Sequence, residues 1–135
     1  MCSLKKLPIK NNNFLEDYLN ESNILKEMKD CEYSVKYIDS FKENNYYYIV
    51  TELCDGNLRN LLNNNKNGLS IQTIKKIFCQ INEGFKTLKD KNFLHRDLKP
   101  DNILFNKINY NNETINYRYK ICDYGFTKDL NDFNK

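Results

Sequence analysis

Apolar positions along this chain change their period several times, and each change marks an expected element. Cys2 to Leu7 reads as a short strand closed by Pro8, whose ring removes a backbone donor. Beyond it, Asn13 with Glu16 three residues on has the outline of a helix cap. Leu15, Tyr18 or Leu19, Ser22, Leu25 and Met28 then recur at helical spacing. The spacing predicts a helix with one packed face, leaving Glu16, Glu21 and Lys26 elsewhere and free to pair. Val35 to Phe41 and Tyr46 to Thr51 read as two strands, and Glu43-Asn44-Asn45 between them suits the tight turn of an antiparallel hairpin.

Asp55-Gly56-Asn57 interrupts this pattern, and Leu58 to Leu62 reads as a short helix ahead of an Asn-rich loop ending at Gly68. Ser70 can cap a long helix in which Ile71, Ile74, Ile77, Phe78, Ile81, Phe85 and Leu88 form one apolar stripe, expected to be buried. Phe93-Leu94, Ile103-Leu104-Phe105 and Tyr117 to Cys122 read as short strands, with the polar stretch from Asn106 to Asn116 as an exposed loop. Small antiparallel sheets mixed with helices make the expected class α+β. No internal repeat is apparent.

With 40% hydrophobic and 29% charged residues in 135, the composition is that of a soluble globular domain, or part of one. No apolar run approaches the roughly 20 residues needed to span a bilayer. The opening Met1-Cys2-Ser3-Leu4-Lys5-Lys6 lacks the apolar stretch of a secretory signal, so an intracellular, cytoplasmic protein is expected. Five widely spaced cysteines with no C-x-x-C pair point to free thiols rather than zinc or a redox couple. The net charge of +3 comes from scattered lysines, without the basic run interleaved with aromatics that tracks a nucleic-acid backbone. Runs such as Asn63-Asn64-Asn65 mark loops, because Asn tolerates turn conformations.

The chemistry is concentrated in the last third. His95-Arg96-Asp97-Leu98-Lys99-Pro100-Asp101-Asn102 matches the pattern H-R-D-L-x-x-x-N at every fixed position. Asp123-Tyr124-Gly125 follows and resembles D-F-G with Tyr for Phe; an aromatic of similar shape packs there, and its hydroxyl needs a partner. Upstream, Ser3-Leu4-Lys5 resembles the end of V-A-I-K, and Leu19-Asn20-Glu21-Ser22-Asn23-Ile24-Leu25 resembles the helix that carries that lysine's glutamate. On these residues the chain resembles the eukaryotic-type protein kinase family. The resemblance implies an incomplete bilobal fold, with residues 1–54 as part of the small lobe and 55–135 as the start of the large one.

It also implies a set of roles. Transfer of a γ-phosphoryl group needs aligned groups and cations against developing negative charge more than covalent help. Asp97 then orients the attacking hydroxyl, and Lys99 sets an ammonium near the γ-phosphate. Asn102 and Asp123 supply oxygens to Mg²⁺, a hard cation that keeps part of its water shell. Lys5 holds the α- and β-phosphates of ATP and pairs with Glu21. Lys10 is the competing lysine, disfavoured because it lies beyond Pro8 and directly before an Asn loop. Thr51 takes the place of the gatekeeper, the backbones of Glu52 and Cys54 face adenine, and Asn57 lies near the ribose. The loop Leu98-Lys99-Pro100-Asp101-Asn102 is the Ser/Thr version, so a protein Ser/Thr hydroxyl is the implied acceptor. Arg96 resembles the arginine that binds a phosphorylated activation loop.

Taken singly these residues mean less. A lone histidine is more often structural than catalytic, and His95 is expected to support its loop. A lone Lys–Glu pair is usually two solvated charges, an Asp-x-Gly is usually a turn, and Cys122 reads as a small packing residue. The order and spacing of the motifs turn the balance. Two departures accompany the match: no Gly-rich loop precedes Lys5, and the chain ends ten residues after Gly125, before an A-P-E segment. Both leave open a second reading, a truncated and inactive kinase-like module for nucleotide binding or scaffolding.

Overall fold

The computed structural model describes residues 1–109 and 115–134. A first antiparallel sheet holds β1 (Cys2–Pro8), β2 (Tyr37–Glu43) and β3 (Tyr46–Glu52) in the order β1-β3-β2. The predicted hairpin turns at Asn44, whose φ of 52° is the left-handed conformation that Asn accepts more readily than most residues. α1 (Asn12–Glu27) lies against this sheet and buries Ile24 and Leu25, with Met28 buried at its C-cap. Its cap is Asn11 rather than Asn13, because Asn11 is the extended residue whose side chain accepts from Phe14 N at 3.2 Å.

β2 begins at Tyr37 rather than Val35. Residues 33 to 35 are drawn away to the second sheet instead, where Ile121 N donates to Tyr33 O and Val35 N donates to Ile121 O. That sheet contains β4 (Gly56–Asn57), β6 (Ile103–Asn109) and β7 (Ile115–Ile121), in the order β4-β6-β7. β6 and β7 run well into the stretch expected to be an exposed loop, with pairs such as Asn106 with Arg118 and Lys107 with Tyr117. Cross-strand pairing outweighs the poor strand preference of Asn and Lys. The tip of the expected loop, 110–114, lies outside the described residues.

α2 (Leu58–Asn64) starts on a capping box between Asn57 and Asn60. α3 (Ile71–Asp90) starts on Ser70, which accepts from Thr73 N at 3.2 Å. The α3 stripe is only partly buried: Ile77, Ile81 and Leu88 are in the core, whereas Ile71, Ile74 and Phe78 are 65%, 40% and 73% exposed. Ile74 and Phe78 line an apolar groove with Leu62, Leu98 and Pro100, and the helix lies across β7. There Gly84 approaches so closely that a Cβ would stand 2.7 Å from Ile121 Cδ1. Gln80 completes the junction, accepting from Tyr119 N at 2.7 Å and donating to Tyr117 O at 3.3 Å. β5 (Phe93–Leu94) and β8 (Lys128–Asp129) form a third, two-stranded sheet.

One apolar cluster joins these layers, from Ile24 and Ile49 through Ile103 and Ile121 to Leu88 and Tyr124. The architecture is a mixed one, small antiparallel sheets packed with helices, as the patterning predicts. No helix among the described residues is long and apolar enough to cross a membrane.

Candidate active site

Five of the predicted site residues, Lys5, Glu21, Thr51, Asn102 and Asp123, come together on one cavity. β1 pairs with β3 so that Lys5 lies opposite Ile49, and its ammonium reaches α1. There it meets both carboxylate oxygens of Glu21, at 2.8 and 3.0 Å. A third contact, 3.3 Å, runs to Asp123 Oδ1. Lys10, past the end of β1, stands instead over the ring of Phe14. Glu21 is 4% exposed, so it is not on a free face of the helix as the spacing suggested. Burial pushes its carboxyl above the usual range against the opposing pull of Lys5. Desolvation works the other way on Lys5, and Glu21 and Asp123 outweigh it to hold the ammonium above its ordinary value.

Asp97 and Asn102 are joined inside their own loop. Asn102 Nδ2 donates to Asp97 O at 3.0 Å and to Asp97 Oδ2 at 2.9 Å, which leaves the side-chain oxygen Oδ1 of Asn102 to a ligand, its backbone carbonyl being taken by Cys122 N. Lys99 Nζ lies 3.1 Å from the same Asp97 oxygen, and this hydrogen bond holds the exposed ammonium above its usual value. Arg59 of α2 pairs with Asp101 at 3.2 Å, fixing the turn that presents Asn102.

His95 is fully buried and uses both ring nitrogens. Asp97 N donates to Nδ1 at 3.2 Å, so the proton sits on Nε2, which donates to Cys122 O at 3.0 Å. One imidazole thereby ties the loop of Asp97 to the strand leading into Asp123. Arg96 and Asp123 both occupy the left-handed region, at φ of 64° and 60°. Non-glycine residues persist there only where their surroundings hold them, and such strain gathers at functional sites. Arg96 is held by its Nε donating to Phe126 O at 2.7 Å.

A cavity of about 380 Å³ opens between the sheets, with Lys5, Glu21, Thr51, Asn102 and Asp123 among its polar wall and Leu4, Val35 and Leu104 among its apolar one. A second, of about 210 Å³, adjoins it through Ser3, Thr51 and Leu104 and is walled by Glu52, Cys54 and Asn57. The Asn57 side chain already caps α2, accepting from Asn60 N at 2.9 Å. Asp97 and Lys99 line neither cavity and connect to the first through Asn102.

Several contacts around the site were not anticipated. The Glu52 carboxylate accepts from Lys36 N, Asn106 Nδ2 and Lys120 Nζ. Ser34 forms a 2.7 Å hydrogen bond with the Tyr124 hydroxyl. The tyrosine's need for a partner was legible in sequence; the identity of the partner was not, because Ser34 sits in a segment without periodicity.

Comparison with known proteins agrees with this geometry. The protein kinase domain family matches residues 1–135. The chain belongs to the protein kinase family. It is 34% identical over 113 residues to cyclin-dependent kinase-like 1 of Caenorhabditis elegans, covering 84% of this chain and 30% of that protein. A mitosis inhibitor protein kinase of Candida albicans is 37% identical over 111 residues, covering 81% of this chain and 9% of the relative. A serine/threonine-protein kinase of Schizosaccharomyces pombe is 35% identical over 116 residues, covering 80% and 23%. The kinase chain thus spans less than a third of the length of these curated relatives.

Proposed function

We propose that this chain carries the nucleotide site of a Ser/Thr protein kinase, which transfers the γ-phosphoryl group of ATP to a protein Ser or Thr hydroxyl. The observation that carries the reading is the convergence of Lys5, Glu21 and Asp123 on one cavity wall, joined through Asn102 to Asp97 and Lys99. In this reading the nucleotide lies between residues 1–54, the small-lobe part, and 55–135, the start of the large lobe.

Lys5 neutralises the α- and β-phosphates, and Glu21 fixes its ammonium in the wall. Adenine enters the adjoining cavity against the backbones of Glu52 and Cys54, with Thr51 setting its depth and Asn57 near the ribose. Asn102 and Asp123 offer amide and carboxylate oxygens, a hard donor set that suits Mg²⁺. Bound there, Mg²⁺ neutralises charge on the phosphates. Asp97 accepts a hydrogen bond from the acceptor hydroxyl and orients its lone pair toward phosphorus. Lys99 stabilises the charge gathering on the transferred group. The lysine at this position supports a Ser/Thr acceptor, as do the relatives.

The test is transfer of radiolabelled γ-phosphate to Ser-, Thr- and Tyr-containing peptide pools, with nucleotide binding measured alongside. Transfer to Ser or Thr that is lost in Asp97→Asn supports the reading. Nucleotide binding without transfer would replace it with a non-catalytic binding module.

A further inference from the structure

Asp123 has a conformation that needs support, at φ of 60°, and the following residue departs from the D-F-G pattern by one hydroxyl. That hydroxyl does not reach solvent. Tyr124 is 0% exposed and Ser34 3% exposed, with their oxygens 2.7 Å apart. Ser34 Oγ also lies 3.3 Å from Val35 O, a group that can only accept. The serine proton therefore goes to Val35 O and the tyrosine proton to Ser34 Oγ, giving a directed chain with both hydroxyls satisfied.

The segment that holds Ser34 is itself fixed to β7. Ile121 N donates to Tyr33 O at 2.8 Å and Val35 N donates to Ile121 O at 2.9 Å, two residues before Asp123. Residues 33–35 thus grip the chain on both sides of Asp123, by backbone at 121 and by side chain at 124. The Tyr124 ring adds an edge contact to His95, 5.4 Å between centroids, which packs it against the buried imidazole.

We propose that the Ser34–Tyr124 hydroxyl pair is a latch that keeps Asp123 in its left-handed conformation, with the carboxylate toward Lys5. Ser34 and Tyr124 are positioning residues, acting through Asp123. The functional part of this inference rests on the kinase reading above; the conformational part does not. A phenylalanine at 124 fills nearly the same volume but makes no such bond, so the pair supplies a restraint that the D-F-G pattern lacks.

The test compares Tyr124→Phe, Ser34→Ala and the double variant in the full chain. Amide exchange is the first readout, since the amides of Cys122, Gly125 and Thr127 each donate locally. Each single variant should speed exchange across 122–127 about fivefold to tenfold, the scale of one lost hydrogen bond. The α3 amides should stay unchanged, and the double variant should be no faster than either single one. The second readout is the Mg²⁺ concentration giving half-maximal phosphoryl transfer, which should rise by a similar factor at saturating ATP. Unchanged exchange over 122–127, or multiplicative effects in the double variant, overturns the latch. Localised, non-multiplicative exchange in a protein that transfers no phosphate supports the latch and removes the kinase reading. Altered exchange with an unchanged Mg²⁺ requirement overturns the link to Asp123.

Discussion

Lys5 and Glu21 meet through both carboxylate oxygens, yet the two sides of the pair are unequally exposed: the lysine side chain is 42% accessible and the glutamate 5%. Removing one partner is therefore not equivalent to removing the other. Lys5→Met leaves a buried carboxylate uncompensated and should cost about 1–2 kcal/mol at neutral pH, after allowance for the partial exposure of the lysine. Glu21→Gln leaves an ammonium that water and Asp123 still serve, and should cost less. Urea denaturation of both variants checks the order.

The same pair predicts a pH dependence. A carboxyl raised in the folded state binds more protons there than in the unfolded chain, so its contribution to stability falls as pH rises from about its ordinary 4.5 through the raised value. Without Lys5 to pull the carboxyl down, Lys5→Met should show a steeper fall across that window. Glu21→Gln should show none from this group. Stability measured at intervals between pH 4 and about 8 separates the two, and equal slopes would contradict the assignment.

Asp97→Asn should lower kcat by about 10²–10⁴, the range for loss of a positioned acid or base. Nucleotide affinity should stay near that of the parent, since Asp97 lies outside the cavity walls. Steady-state transfer beside equilibrium binding of a fluorescent nucleotide decides it. A parallel loss of binding would place Asp97 in ground-state contact with the nucleotide.

Gly84→Ala offers a test of packing. In an exposed helix interior the change gains up to about 1 kcal/mol. Here the new Cβ would stand 2.7 Å from Ile121 Cδ1 and 3.2 Å from Tyr33 O, and overpacking of this kind costs about 1–3 kcal/mol. The clash should win, with a lowered unfolding midpoint as the readout.

Thiol reactivity should follow burial and charge. Burial, reinforced by Glu52, pushes Cys54 up to about 11, and burial with Asp123 nearby pushes Cys122 up to about 12. Cys2 and Cys79 are exposed. Iodoacetamide at neutral pH should modify Cys2 and Cys79 well before Cys54 and Cys122, as followed by mass spectrometry of the tryptic peptides.

Much of this arrangement was legible along the chain because its parts are local. Asp97 and Asn102 bond within one loop, and the cap at Ser70 acts three residues ahead. Long-range effects were not legible. Glu21 falls off the apolar stripe of α1, and only the approach of β1 shows why a charge there is buried. The first half of the α3 stripe looked like core by its period, although Ile71 and Phe78 face outward. β6 and β7 extend into a polar stretch because each provides the other's partners, a property of the pair that neither segment carries alone.

β7 ends one side of its sheet, where a strand normally offers unpaired amides and carbonyls to any passing chain. On that side Gln80 serves the backbone at Tyr117 and Tyr119, and residues 33 and 35 serve it at Ile121. A side-chain amide from a helix thus stands in for a missing strand. The consequence concerns solution behaviour rather than catalysis: with Tyr117 O, Tyr119 N and both backbone groups of Ile121 already engaged, this margin is blunted as a template for intermolecular β-pairing, and Gln80→Leu would restore two open positions to it.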